Sequence, residues 1–131
     1  MPAKVWKAAE VEKEIKAALA AGKSGPTLLG KEAGLGYGLI VTDFKDRQPK
    51  PELHENADDV YYILAGEGTL TIGGELVGKE AKGPGEWTAQ EIARAEKVTV
   101  RAGDVVSIPR GVPHMRGCPG GAVKYFVVKV Y

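Results

Sequence analysis

From Ser24 onward the chain is rich in Gly, Val, Thr and Tyr and is broken by frequent turn signals, a texture that admits short strands and leaves little room for helix. An all-β region is therefore expected there. Thr27 to Gly30 and Tyr37 to Phe44 read as strands. The GLGYG between them, at 34–38, lacks the strand before it and the helix after it that a phosphate loop needs, so it reads as a turn. Pro49-Lys50-Pro51 argues against a central strand just before position 52. Further on, Glu67 to Ile72 reads as a strand, Gly73-Gly74 as a tight turn and Glu75 to Val77 as the returning strand of a meander. Gly78 to Gly85 reads as a loop. Over residues 86–96, EWTAQEIARAE, the propensities of Ala, Gln, Glu and Arg favour a short helix. Val98 and Val100 alternate as a strand before a turn at Ala102-Gly103-Asp104, and Val123 to Tyr131 alternates as a closing strand.

Ahead of this region, residues 7–21, KAAEVEKEIKAALAA, form the one clear helical pattern. Val11, Ile15 and Leu19 make an apolar stripe that Ala8 and Ala18 widen, and Gly22 can end the helix. Glu12 and Lys16 add an i,i+4 pair worth a few tenths of a kcal/mol. Such a stripe predicts packing over the β region rather than partner binding. A length of 131 residues fits a single domain, with a helical segment at 1–23 and an all-β region at 24–131. The formal net charge is +1 with both signs interspersed, which gives no general pull toward nucleic acid or an anionic membrane. One cysteine allows no internal disulfide. No apolar signal core and no run near the roughly 20 apolar residues of a membrane span is present, so a cytoplasmic protein is expected.

The chemistry concentrates in ELHENADDVYYILAG, residues 52–66. If 51–55 is extended, Glu52 and His54 point to one side and Leu53 to the other. Ala57 and Asp58 read as a bend. A strand from Asp59 then sets Asp59, Tyr61 and Ile63 on one face and Val60, Tyr62 and Leu64 on the other. Both faces are mostly apolar, which predicts a strand covered on both sides. The chain has two histidines, and the second, His114, lies in GDVVSIPRGVPHMRGC. An extended 112–118 puts Arg116 and Cys118 on the same face as His114.

Imidazole nitrogens from His54 and His114 with carboxylate oxygens from Glu52 and Asp59 suit Fe(II), Mn(II), Zn, Ni or Cu(II). Two histidines and one carboxylate on one side of an ion leave open positions, as in non-haem iron oxygenases. Two carboxylates would also nearly neutralise a buried dication. Asp59 has a second reading, as a group that binds through water or orients His54, and Glu52 one as a general base. Arg116 is either a clamp for a substrate carboxylate or a rim arginine. Cys118 reads first as a small buried hydrophobe and second as a ligand or nucleophile. Tyr61 and Tyr125 are cavity or core residues. Without a metal, all four groups are hydrogen-bonded or solvated polar residues at a barrel mouth.

The spacing around His114 is Gly103, five residues, Pro109, one residue, Gly111, two residues, His114. It resembles the second motif of the cupin superfamily, G, five residues, PxG, two residues, H, three residues, N. The first cupin motif, HxH, three or four residues, E, six residues, G, is matched by Glu52, His54, Asp59 and Gly66. Departures fall at Glu52, Asp59 and Cys118, which stand for His, Glu and Asn. The resemblance covers about residues 35–131 and implies a small jelly-roll β-barrel, commonly a homodimer, that accepts an extended hairpin arm at 86–96. Fold alone does not give function. One expectation is a metal-dependent enzyme acting on a small oxygenated organic molecule by dioxygen insertion or by isomerase or lyase chemistry. The other is a module that binds or senses a sugar or metabolite. Polar groups inside an apolar barrel cost free energy unless paired or coordinated, which favours the enzyme.

Overall fold

The computed structural model describes residues 3–131. Helix α1 (Ala8–Ala20) begins after Lys7 and is followed by Gly22 at φ 77°, where a left-handed residue lets the chain turn away. It buries Ile15 and Ala18 and packs on β2. Twelve strands follow: β1 (Thr27–Leu29), β2 (Tyr37–Lys45), β3 (Pro51–His54), β4 (Asp58–Ile72), β5 (Glu75–Val77), β6 (Glu80–Gly83), β7 (Glu86–Thr88), β8 (Glu91–Ala93), β9 (Glu96–Arg101), β10 (Val105–Ile108), β11 (His114–Gly117) and β12 (Ala122–Val130). Their order is β1-β2-β12-β4-β11-β3-β7-β6, with β9 and β10 also on β4. The fold is the expected all-β jelly roll, curled around a core that includes Phe44, Tyr61, Ile63, Leu70, Ile108, Val123 and Tyr125.

The spine is β4. Its first part pairs with β10 and β12, its second with β9 and β11, so one strand serves both halves of the curl. Gly66 sits at the change of partners, just past a bulge opposite Lys124–Tyr125. Its φ is 79°, and a Cβ there would meet the Ala122 carbonyl oxygen at 2.1 Å. Only glycine meets both conditions without strain. Gly66→Ala is therefore expected to lower the unfolding free energy by about 2 kcal/mol or more. Urea unfolding followed by circular dichroism measures it, and an unchanged midpoint would contradict this role for Gly66.

Several local expectations are corrected. The strand from Asp59 and the strand read at Glu67 to Ile72 are one continuous strand, because the bulge and the glycine bend β4 without breaking it. Its outer face is open: Tyr62 and Leu64 are 45% and 43% exposed, while α1 packs on β2. Glu75–Val77 does not return along β4. Ile72 already pairs with Glu96 on one side and His114 on the other, so no edge is free, and β5 pairs with β8 instead. The expected loop at 78–85 contains β6, which pairs with β7. Of the two readings of residues 86–96, the extended one that the resemblance accepts is what forms, pairing β7 with β3 and β8 with β5, an instance of tertiary pairing overriding propensity. The bend before β4 falls at Glu55–Asn56, before the expected Ala57–Asp58. Despite its prolines, β3 is an interior strand; Pro51 is its first residue, a place where proline is tolerated.

Candidate metal centre

Strand register brings the polar groups together. His114 on β11 stands directly opposite Glu52 on β3, and His54 shares a face with Glu52 two residues along the same strand. Glu86 on β7 stands opposite His54. Across the barrel, Asp59 near the start of β4 stands opposite Lys129 on β12. Gly111 donates its N–H to the His54 carbonyl at 2.7 Å, which ties the PRG turn of the second motif to the first.

Donor atoms of Glu52, His54 and His114 lie within 4.8 Å of one another. His54 Nε2 is 3.9 Å from Glu52 Oε2 and 3.2 Å from Asp59 Oδ2. His114 Nε2 is 3.4 Å from Glu52 Oε1 and 3.7 Å from Asp59 Oδ2. Each imidazole is held through its other nitrogen: His54 Nδ1 is 2.7 Å from Glu86 Oε1, and His114 Nδ1 donates to the Val112 carbonyl at 3.0 Å. A carbonyl only accepts, so neutral His114 carries its proton on Nδ1 and a lone pair on Nε2.

That lone pair is buried and makes no hydrogen bond, because the nearby carboxylate oxygens are acceptors too. Thr42 and Tyr125 also leave buried oxygens unpaired among the described residues, but a hydroxyl proton can rotate and a ring nitrogen cannot turn away. A cation between the imidazoles and the carboxylate removes the conflict. Two imidazole nitrogens and a carboxylate oxygen are a donor set for a divalent transition metal, and each histidine has the outer hydrogen bond typical of metal-bound imidazole. The residues fit such an ion.

Charge is balanced tightly around these groups. Burial pushes Glu52 up, but the His114 contact and the charges of Arg116 and His54 hold it at about 2. Burial also opposes ionisation of Asp59, yet the His54 bond and the Lys129 ammonium, 2.8 Å from Oδ1, keep it well below the usual carboxylate range. His54 is pulled down by burial and Lys129, but its bond to Asp59 and the Asp59 and Glu52 charges leave it raised. Tyr61 stays neutral, raised by burial against the pull of Arg116, and donates to Asp59 Oδ2 at 3.2 Å.

All four expected metal residues therefore gather at one place, with a division among them. Glu52, His54 and His114 converge as a triad, while both Asp59 oxygens already have protein partners. A cavity of about 300 Å³ opens beside Glu52 and His54, walled by Arg47, Lys50, Lys82, Glu86 and Trp87. Tyr61, Arg116 and Cys118 lie off its wall. Arg116 points inward, 3.3 Å from Glu52 Oε1, with its guanidinium over the rings of Phe44, Tyr61 and Tyr125. Cys118 is 3% exposed in the apolar core, where its sulfur accepts the Arg47 N–H at 3.3 Å.

Lys129 and Glu86 were not visible as site residues from the sequence. Lys129 did leave a signal, an ionisable residue on the parity of buried Val123, Tyr125 and Val127. Glu86 left none, because its place depends on pairing between β7 and β3.

No curated protein matches the chain. Among solved structures it resembles a cupin protein from Bacteroides fragilis (17% identity, TM-score 0.56, 81% of this chain and 75% of that one). It also resembles a predicted oxalate decarboxylase from Thermotoga maritima (21% identity, TM-score 0.58, 81% and 77%) and the DMSP lyase DddQ from Ruegeria pomeroyi (18% identity, TM-score 0.58, 82% and 46%). Likeness at these identities speaks for the fold. No helix among the described residues is long and apolar enough to cross a membrane. The family described as Cupin matches residues 34–131, most of the length, and the chain belongs to the cupin family.

Proposed function

We propose that this protein is a metal-dependent enzyme in which Glu52, His54 and His114 hold a divalent transition metal beside the cavity, where a small oxygenated organic molecule binds. The observation that carries this reading is the buried, unpaired His114 Nε2 aimed with His54 Nε2 at carboxylate oxygens. The ion would supply Lewis acidity toward a substrate oxygen and, if redox-active, access to dioxygen. Glu86 and Val112 fix the two imidazole orientations, and Arg116 fixes Glu52. A carboxylate held at about 2 is a weak proton acceptor near neutrality, so Glu52 suits the ligand role better than that of general base. Asp59, held by Lys129 and Tyr61, orients His54 and balances charge behind the triad.

Dioxygenase-type and isomerase- or lyase-type reactions both suit such a site. Two solved structures of the same fold, a predicted oxalate decarboxylase and a DMSP lyase by name, lend support to the second class. The test is to load the protein with Fe(II), Mn(II), Zn, Ni or Cu(II) and follow oxygen consumption and substrate depletion with small keto acids, phenols and sugars. Turnover that a chelator abolishes and added metal restores is the expected result. Ligand-induced thermal shifts without turnover in any metal form would instead make the protein a small-molecule binding or sensing module.

A further inference from the structure

The cavity beside the triad carries more positive charge than metal binding requires. Arg47, in the segment between β2 and β3, lies with its guanidinium carbon 4.3 Å above the Phe44 ring, which holds it at the cavity wall. Lys50 follows in the same segment, and Lys82 on β6 lines the same space. None of the three has an ion-pair partner among the described residues. The two carboxylates lining the same space are already engaged: Glu86 is 2.7 Å from His54 Nδ1, and Glu52 is 3.3 Å from Arg116. Free cations and engaged anions thus line one concave surface, an arrangement that concentrates field on an incoming anion.

We propose that the cavity binds a small organic acid, with a carboxylate held by Arg47, Lys50 and Lys82 and an oxygen of the same molecule turned toward Glu52, His54 and His114. The second half of this statement rests on the metal-enzyme reading; the first does not. A volume of about 300 Å³ is at the small end for ligand cavities, which limits the guest to a short acid. A phosphate dianion is disfavoured, because strands with their connecting segment, not a helix N-terminus, build the wall. A neutral sugar is disfavoured as well. The one uncharged hydroxyl in the wall, Thr88 Oγ1, already donates to the Pro51 carbonyl at 3.0 Å.

Trp87 in the wall provides the readout, with Trp6→Phe as background because the chain has only two tryptophans. Metal-loaded and chelated protein are titrated with lactate, malonate and succinate, with the matching neutral amides, and with inorganic phosphate, while metal content is measured in parallel. At least one acid is expected to bind about tenfold or more tightly than its amide, with affinity falling as salt rises. Lys50→Glu combined with Lys82→Glu, both at exposed positions, is expected to weaken that acid by about tenfold and to leave the amide and the metal content unchanged. Equal binding of acids and amides, preference for phosphate, no acid binding at millimolar concentration, or a charge-reversed variant that binds the acid unchanged would each overturn the proposal. Charge-dependent acid binding by a protein that takes up no metal would sink the metal-enzyme reading and leave the carboxylate site of Arg47, Lys50 and Lys82 standing; stoichiometric metal without acid binding would do the reverse.

Discussion

His114→Ala is expected to purify without divalent metal under conditions where the parent holds about one ion per chain, and His54→Ala to behave the same way. The triad has only three converging donors, so losing an imidazole leaves an ion with one nitrogen and one carboxylate. Changing an outer partner of a ligand typically costs 10–100-fold in affinity, so losing the ligand itself should cost at least about a hundredfold. Glu86→Gln, which alters only the partner of His54 Nδ1, should cost about tenfold and serves as a graded control. Elemental analysis after dialysis measures the first effect and competition with a chromogenic chelator the second. Stability supplies a further readout that a merely structural histidine would not move. Metal at about 100 times its dissociation constant stabilises the parent by about 2.7 kcal/mol, and His114→Ala should lose that response altogether. Retention of a stoichiometric ion by both alanine variants would end the assignment.

How far the sequence led depended on whether a feature is local. Two-residue alternation places Glu52 beside His54 whatever the strand pairs with, and the glycine and proline spacing before His114 marks the second motif by itself. The meeting of His114 with Glu52 needs the β11–β3 register, which the sequence suggested only through resemblance to a known pattern. Where pairing depends on which edges are free, the local reading failed: Gly73-Gly74 has the chemistry of a hairpin turn, but β9 and β11 already occupy both sides of Ile72. Alanine-rich propensity at 86–96 gave way for the same reason, since β3 and β5 offered edges to be filled. Arg116 shows the limit of parity. Its side could be counted, but its engagement with Glu52 and three aromatic rings could not, and that engagement turns it from a candidate substrate clamp into a support for Glu52.

Lys129→Met tests the other half of the centre, the charge balance behind the triad. Asp59 is 3% exposed, and Lys129 Nζ, 2.8 Å from Oδ1, is the one lysine or arginine paired with it among the described residues. Removing that cation leaves a buried carboxylate supported by Tyr61 and His54 alone, and breaking a buried ion pair costs about 3–5 kcal/mol. Because Lys129 is 19% exposed and His54 remains, a loss of about 2–3 kcal/mol is expected for the metal-free protein near pH 8. The loss should shrink as pH falls, for two reasons of the same sign. Asp59 has a depressed value in the parent, so its contribution is present above the ordinary carboxylate range and disappears as pH falls through the depressed value. His54 is raised, so its contribution is full below its unfolded value and lost as pH rises through its folded one. Lys129 now holds His54 down, and removing it strengthens that contribution at low pH. Urea unfolding near pH 8, 6 and 4 in the presence of chelator measures the His54 effect, and the Asp59 effect follows only below the ordinary carboxylate range. Added metal should recover most of the loss, because a divalent ion next to Asp59 takes over the charge that Lys129 supplied. A variant as stable as the parent across this range would show that the Lys129–Asp59 pair is not what holds the carboxylate in place.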